Sequence, residues 1–165
     1  MKSMDEATDE QGGLTDEEKR RNVIHFVFGD DEGLFESFRR TIIDAVPEVS
    51  RVVIRGSAVT GRRWNDGAPF DCDGPGTSDV DLTLVGAEVV QLFKLSGFFV
   101  PGVHSRPLSD DDPDIAPSLV ALRRQLMDLA GRPVNIQATL DFVMYLRGDL
   151  LGQPYLTLID ERNES

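Results

Sequence analysis

The chain has 165 residues, 40% of them hydrophobic and 28% charged, which is enough for one domain to bury its own core without disulfides or structural metals. A formal net charge of −12 excludes a broad phosphate-neutralising surface, so long nucleic acid is not an expected partner. The single cysteine, Cys72, allows neither an intrachain disulfide nor a cysteine-based zinc site, and no apolar run has the length of a membrane span or the build of a secretory signal, so the expected location is the cytoplasm.

Residues 1–13 are polar and acidic and read as a mobile tail ahead of one domain over 14–165. Thr15-Asp16-Glu17-Glu18 has the spacing of a capping box and predicts a helix running towards Phe26. Leu34, Phe35, Phe38, Ile42, Ile43 and Val46 recur at steps of three and four, the mark of an amphipathic helix that Pro47 ends. Val52-Val53-Ile54 is a buried strand by its β-branched run, closed by Gly56-Ser57. The glycine- and proline-rich stretch from Thr60 to Ser78 predicts a loop, and Val80, Leu82, Leu84 and Val85 a second strand.

A helix is expected over Ala87–Leu95 with Gly97 as its stop, then an irregular acidic connection from Phe98 to Pro117, then a helix from Pro117 to Ala130 closed by Gly131. From Val134 to Leu140 apolar and polar residues alternate, predicting a strand with one wet or functional face. Phe142–Leu151 reads as helical and Tyr155–Ile159 as an edge strand behind Pro154. The order implies an α/β or α+β fold with helices flanking a small mixed sheet.

Chemistry concentrates between residues 56 and 82. Asp79 and Asp81, two positions apart on a strand, point to one face, where their mutual repulsion calls for a cation or a basic partner. A Gly-Ser turn opening a helix offers backbone N–H groups, a hydroxyl and a positive dipole end to phosphates. Arg51, Arg55, Arg62 and Arg63 gather near that turn, so a basic rim stands beside acidic ligands, as a nucleoside triphosphate with its metal requires. Trp64 and Phe70 either stack on a base or pack their own loop; His25 and His104 share no spacing with a nucleophile; Asp71 and Asp73 read as loop acids.

Val53-Ile54-Arg55-Gly56-Ser57-Ala58-Val59-Thr60-Gly61, followed by Ser78-Asp79-Val80-Asp81-Leu82-Thr83-Leu84-Val85, resembles the signature of the DNA polymerase β-like nucleotidyltransferase superfamily, in a minimal single-domain form. The resemblance implies that family's fold and transfer of a nucleoside monophosphate from a nucleoside triphosphate to a hydroxyl of a small molecule or protein, with Mg²⁺ or Mn²⁺. It implies catalytic and metal-binding roles for Asp79 and Asp81, and nucleotide contacts from Gly56, Ser57, Thr60, Arg62, Arg63 and Ser78. The chain departs from the pattern twice. Residues 62–77 form an insertion beside the site, and where the family carries a third carboxylate the third strand presents Asn135 and Gln137, with Asp141 further along at the same parity. An amide supplies no charge and no base, so the alternative is a weak or inactive module that binds nucleotide or a partner chain, for example in a toxin–antitoxin-type system. A third possibility is an interaction protein whose Asp-x-Asp is only a solvated edge.

Overall fold

Thr15 begins the first helix in the computed structural model, which describes residues 13–63, 66–147 and 152–160. Its hydroxyl accepts from the Glu18 N–H at 3.1 Å and the Glu18 carboxylate accepts from the Thr15 N–H at 2.9 Å, the reciprocal pair that the sequence predicts. Helix α1 spans Asp16–Phe28 and ends on Gly29 in the left-handed conformation. Helix α2 (Glu32–Ala45) starts on the carboxylate of Asp31 and stops one residue short of the position before Pro47, where proline disfavours helical backbone. The predicted tail, Trp64 and the far end of the helix expected over 142–151 lie outside the described residues, Gly13 excepted.

The described residues form a mixed α+β fold of six α-helices and a six-stranded mixed sheet. Strands β1 (Arg51–Arg55), β2 (Val80–Val85), β3 (Phe98–Val100), β4 (His104–Ser105), β5 (Val134–Thr139) and β6 (Tyr155–Asp160) lie in the order β3-β4-β5-β2-β1-β6. Only β2 and β5 run parallel; the other neighbours are antiparallel. Helix α5 (Val120–Ala130) belongs to the crossover that joins the parallel pair, and the one-turn helices α3 (Ser57–Thr60), α4 (Ala87–Val90) and α6 (Phe142–Tyr145) follow strands. No helix among the described residues is long and apolar enough to cross a membrane.

Side chains on adjacent strand positions leave the sheet on opposite sides, and this divides its chemistry. Val52, Ile54, Leu82, Leu84, Ile136 and Ala138 join the core with Val23 and Phe28 of α1, Phe38 and Ile42 of α2, and Leu126 of α5. The other side carries Arg55, Asp81, Thr83, Asn135, Gln137 and Thr139. Around Tyr145 it is closed by α6, whose phenol bonds the Thr83 hydroxyl at 2.7 Å and packs on Val53.

Three expectations need correction. The helix expected over Ala87–Leu95 ends at Val90, because the Lys94 N–H is drawn to the Ile115 carbonyl at 2.7 Å and a 3₁₀ turn follows. Gly97 is therefore not a helix stop; a Cβ there would lie 2.8 Å from Cβ of Ile115, so glycine is needed for close packing. The Phe98–Pro117 connection holds β3 and β4, and Leu108 bridges Ile136 beyond them. The alternating face of β5 is covered rather than wet: Gln137 and Thr139 are buried, Gln137 donating to the Ser105 carbonyl at 2.8 Å and Thr139 meeting the His104 ring at 2.6 Å. Only its Asn135 end opens outward.

Candidate functional site

At that open end, three side chains form one row across the sheet. Antiparallel pairing sets Arg55 beside Asp81, and parallel pairing sets Asp81 beside Asn135. Asp79 precedes β2 and turns its carboxylate to the same place. The Asn135 amide nitrogen donates to Asp79 at 2.8 Å and to Asp81 at 3.1 Å, so the two acids converge on one point as strand parity predicts.

The row controls the charge on Asp81. Burial raises its carboxyl foremost, and the charge on Asp79 adds to this; Arg55 and the Asn135 hydrogen bond oppose it, leaving the group at about 6 against an ordinary 3.8. Arg55, one of the four arginines expected to form a basic rim, therefore belongs to the site, and its guanidinium also reaches the Gln137 side-chain oxygen at 3.4 Å. Gln137, a candidate third-position residue, is committed to Arg55 and Ser105 and makes no hydrogen bond to either acid. Asp141, the other acid of matching parity, caps α6 by accepting from the Val143 and Met144 N–H groups.

A cleft of about 300 Å³ opens over the acids, walled by Gly56, Ser57, Arg63, Thr77, Ser78, Asp79 and Asp81. Gly56 has φ of 91°, and a Cβ there would stand 3.0 Å from the Asp81 carboxylate, so glycine at this turn makes room for the acid itself. Helix α3 has only four residues, so the phosphate-binding role expected of this turn reduces to its N–H groups and the Ser57 hydroxyl rather than a strong dipole.

Two predicted nucleotide contacts do not line the cleft. Thr60 accepts from the Arg62 N–H at 3.2 Å and donates to its carbonyl at 2.8 Å, and the Arg62 guanidinium bonds the Gly67 carbonyl at 3.2 Å. Both hold the inserted loop. Arg63 does face the cleft, tied to Asp73 at 2.6 Å and Asp66 at 3.5 Å on a partly exposed wall. Phe70 packs on Phe26, with ring centres 5.4 Å apart, and so serves its loop.

The insertion is anchored by a contact without a sequence signal. Asp71 accepts from Arg132 at 2.7 and 3.2 Å, from the Ser78 N–H at 2.9 Å and from the Gly76 N–H at 3.2 Å, while its own N–H donates to the Ser78 hydroxyl at 2.7 Å. Burial alone would raise this carboxyl, but the bonds from Arg132, Ser78 and Gly76 outweigh it and hold it at about 2. Arg132 also lies over the Phe70 ring at 4.6 Å and donates to the Ser78 carbonyl at 3.0 Å, so the residue before Asp79 is fixed from both sides.

A second hollow of about 480 Å³ adjoins the first, between the 106–112 loop and the start of β5, and shares Asp79 and Asn135 with the site. Its acidic loop is braced by Arg106 on Asp112 at 3.0 Å and by Arg123 on Asp110 at 2.9 Å.

Among the described residues no three Cys, His, Asp or Glu side chains gather as an ion site, so Asp79 and Asp81 are the charged donors available. Two hard oxygen ligands beside a polar cleft fit a cation of the Mg²⁺ kind, which is commonly held by one or two carboxylates together with substrate phosphates. Compared with known proteins, the chain matches no family model, no curated protein and no solved structure.

Proposed function

We propose that the chain is a metal-dependent nucleotidyltransferase on a nucleotidyltransferase-type fold, moving a nucleoside monophosphate from a nucleoside triphosphate to a hydroxyl of a small molecule or protein. The observation that carries this is the convergence of Asp79 and Asp81, through one amide, at the floor of a cleft walled by Gly56, Ser57 and Arg63. Bound Mg²⁺ or Mn²⁺, held by the two acids, supplies charge neutralisation on the phosphates. The Ser57 hydroxyl and nearby N–H groups orient the triphosphate, and the Arg63 guanidinium offsets its charge. The second hollow offers room for the acceptor on the far side of Asp79. Acceptor oxygen bonds to the α-phosphorus, the bond from that phosphorus to the β-bridging oxygen breaks, pyrophosphate leaves, and the acceptor proton passes to solvent.

A second reading, nucleotide or partner-chain binding without turnover, draws on one observation. The side chain that reaches both acids from β5 is an amide, which cannot act as a base. Pyrophosphate release from the four ribonucleoside triphosphates, with a cell extract as acceptor source, separates the two. Release absent from the Asp79→Ala/Asp81→Ala double variant supports the transferase; metal-dependent binding without release supports the module.

A further inference from the structure

We propose that Arg132, acting through Asp71 and Ser78, is a positioning residue for Asp79, and that the 62–77 insertion is the brace that sets this carboxylate over the cleft. The inference rests on the nucleotide–metal reading of that cleft. The two acids are not held alike. Asp81 lies within β2, paired with Arg55 on one side and Asn135 on the other, whereas Asp79 precedes the strand and belongs to neither pairing. Its direction is therefore set by its neighbours. Val80 donates its N–H to the Pro133 carbonyl at 2.9 Å, a bond of the kind that strand pairing supplies. Ser78 is held by side chains instead. Its carbonyl accepts from Arg132 at 3.0 Å, its N–H donates to the Asp71 carboxylate at 2.9 Å, and its hydroxyl oxygen accepts from the Asp71 N–H at 2.7 Å. Arg132 closes the circuit by donating to both Asp71 oxygens, at 2.7 and 3.2 Å, a two-point contact that fixes direction as well as distance.

The brace stands on the segment that also carries Asn135. One short stretch of chain thus grips Ser78 through the Arg132 guanidinium, Val80 through the Pro133 carbonyl and Asp79 through the Asn135 amide. The insertion is moulded to this stretch. Asp71 takes left-handed backbone at φ of 60°, which is costly for a residue other than glycine, and a Cβ on Gly76 would lie 3.2 Å from the Gly131 carbonyl. Arg132 also donates to the Phe26 carbonyl at 3.3 Å, which ties the same point to α1.

The test measures Mg²⁺-dependent binding of non-hydrolysable analogues of the four ribonucleoside triphosphates by calorimetry, well below the melting temperature, for wild type, Arg132→Met, Asp71→Asn and the double variant. Each single change weakens binding about tenfold, the usual loss when a group that orients a metal ligand is removed. The double variant is no weaker than either single one, because the pair acts as a unit. Ile42→Val, in the core under α2, lowers the melting temperature and leaves affinity unchanged, which separates positioning from stability. Hydrogen exchange of the ligand-free protein gives a second readout. In Arg132→Met the Ser78 and Val80 amides exchange faster, while those of Leu82 and Leu84 keep their wild-type rates. Unchanged affinity in folded Arg132→Met, losses that multiply in the double variant, or faster exchange spread evenly along β2 would overturn the inference while leaving the nucleotide–metal reading intact. Absence of Mg²⁺-dependent binding by folded wild type would instead remove that reading.

Discussion

Replacement of Asp81 by asparagine stabilises the protein at neutral pH, because the fold holds this carboxyl at about 6 against an ordinary 3.8. A group whose folded value is raised binds its proton more tightly in the native state, so its contribution is favourable below about 3.8 and is lost as pH rises to about 6. Above that window the ionised group costs up to roughly 3 kcal/mol at 1.36 kcal/mol per pH unit, an upper bound because Asp81 keeps some access to solvent through the cleft. Asp81→Asn keeps the shape and an oxygen for the Asn135 amide but removes the charge. Metal-free thermal melts at pH 7.5 should place the variant about 5–10 °C above wild type, from roughly 2–4 °C per kcal/mol for a domain of this size. At pH 4 the gap should nearly close. With Mg²⁺ and nucleoside triphosphate present the order should reverse, since only wild type gains ligand stabilisation. A variant less stable than wild type at pH 7.5, or a gap independent of pH, would refute the reasoning.

Gly56→Ala, at φ of 91° and with its methyl 3.0 Å from the Asp81 carboxylate, should cost about 1–3 kcal/mol in denaturant unfolding and reduce nucleotide binding. Arg132→Ala should cost about 2 kcal/mol by leaving Asp71 partly buried without its partner, and should make the 62–77 loop the first site of limited proteolysis. Asp71 is held at about 2, so its stabilisation is full above 3.8 and is lost as pH falls towards 2; Asp71→Asn should remove that part of the acid dependence in pH-resolved melts. Arg63→Ala should weaken triphosphate binding several-fold by calorimetry and leave the melting temperature essentially unchanged, because its ion pairs are exposed; Arg62→Ala, bonded to its own loop, should leave affinity unchanged.

The helices were legible where local chemistry alone sets them. The Thr15–Glu18 capping pair and the three-and-four spacing from Leu34 to Val46 need no tertiary partner to be read. Strands β3 and β4 were not, since three and two residues give no period and their pairing depends on the neighbouring sheet. Alternation along β5 marked the face but not its cover, because Ser105 and His104 arrive from a distant segment. At the site, parity alone brought Asp79 and Asp81 together. Asn135 was expected at the third position through the resemblance and Arg55 near the Gly-Ser turn, but their places on either side of Asp81 are set by strand register, which single-strand reading cannot supply. Arg132 is invisible for the same reason: its partner Asp71 is held by the folded loop, and nothing in Gly131-Arg132-Pro133 announces an anchor. Arg62 and Arg63 look alike in sequence, while in the fold one turns to its own loop and the other to the cleft.

The most direct test of the central claim is titration calorimetry of the four ribonucleoside triphosphates into metal-free protein, with and without Mg²⁺, for wild type and Asp79→Ala/Asp81→Ala. The account predicts saturable binding of at least one nucleotide that requires Mg²⁺ and is lost in the double variant. Binding that persists without metal or without the two aspartates, or no binding by a folded wild-type protein, would contradict it.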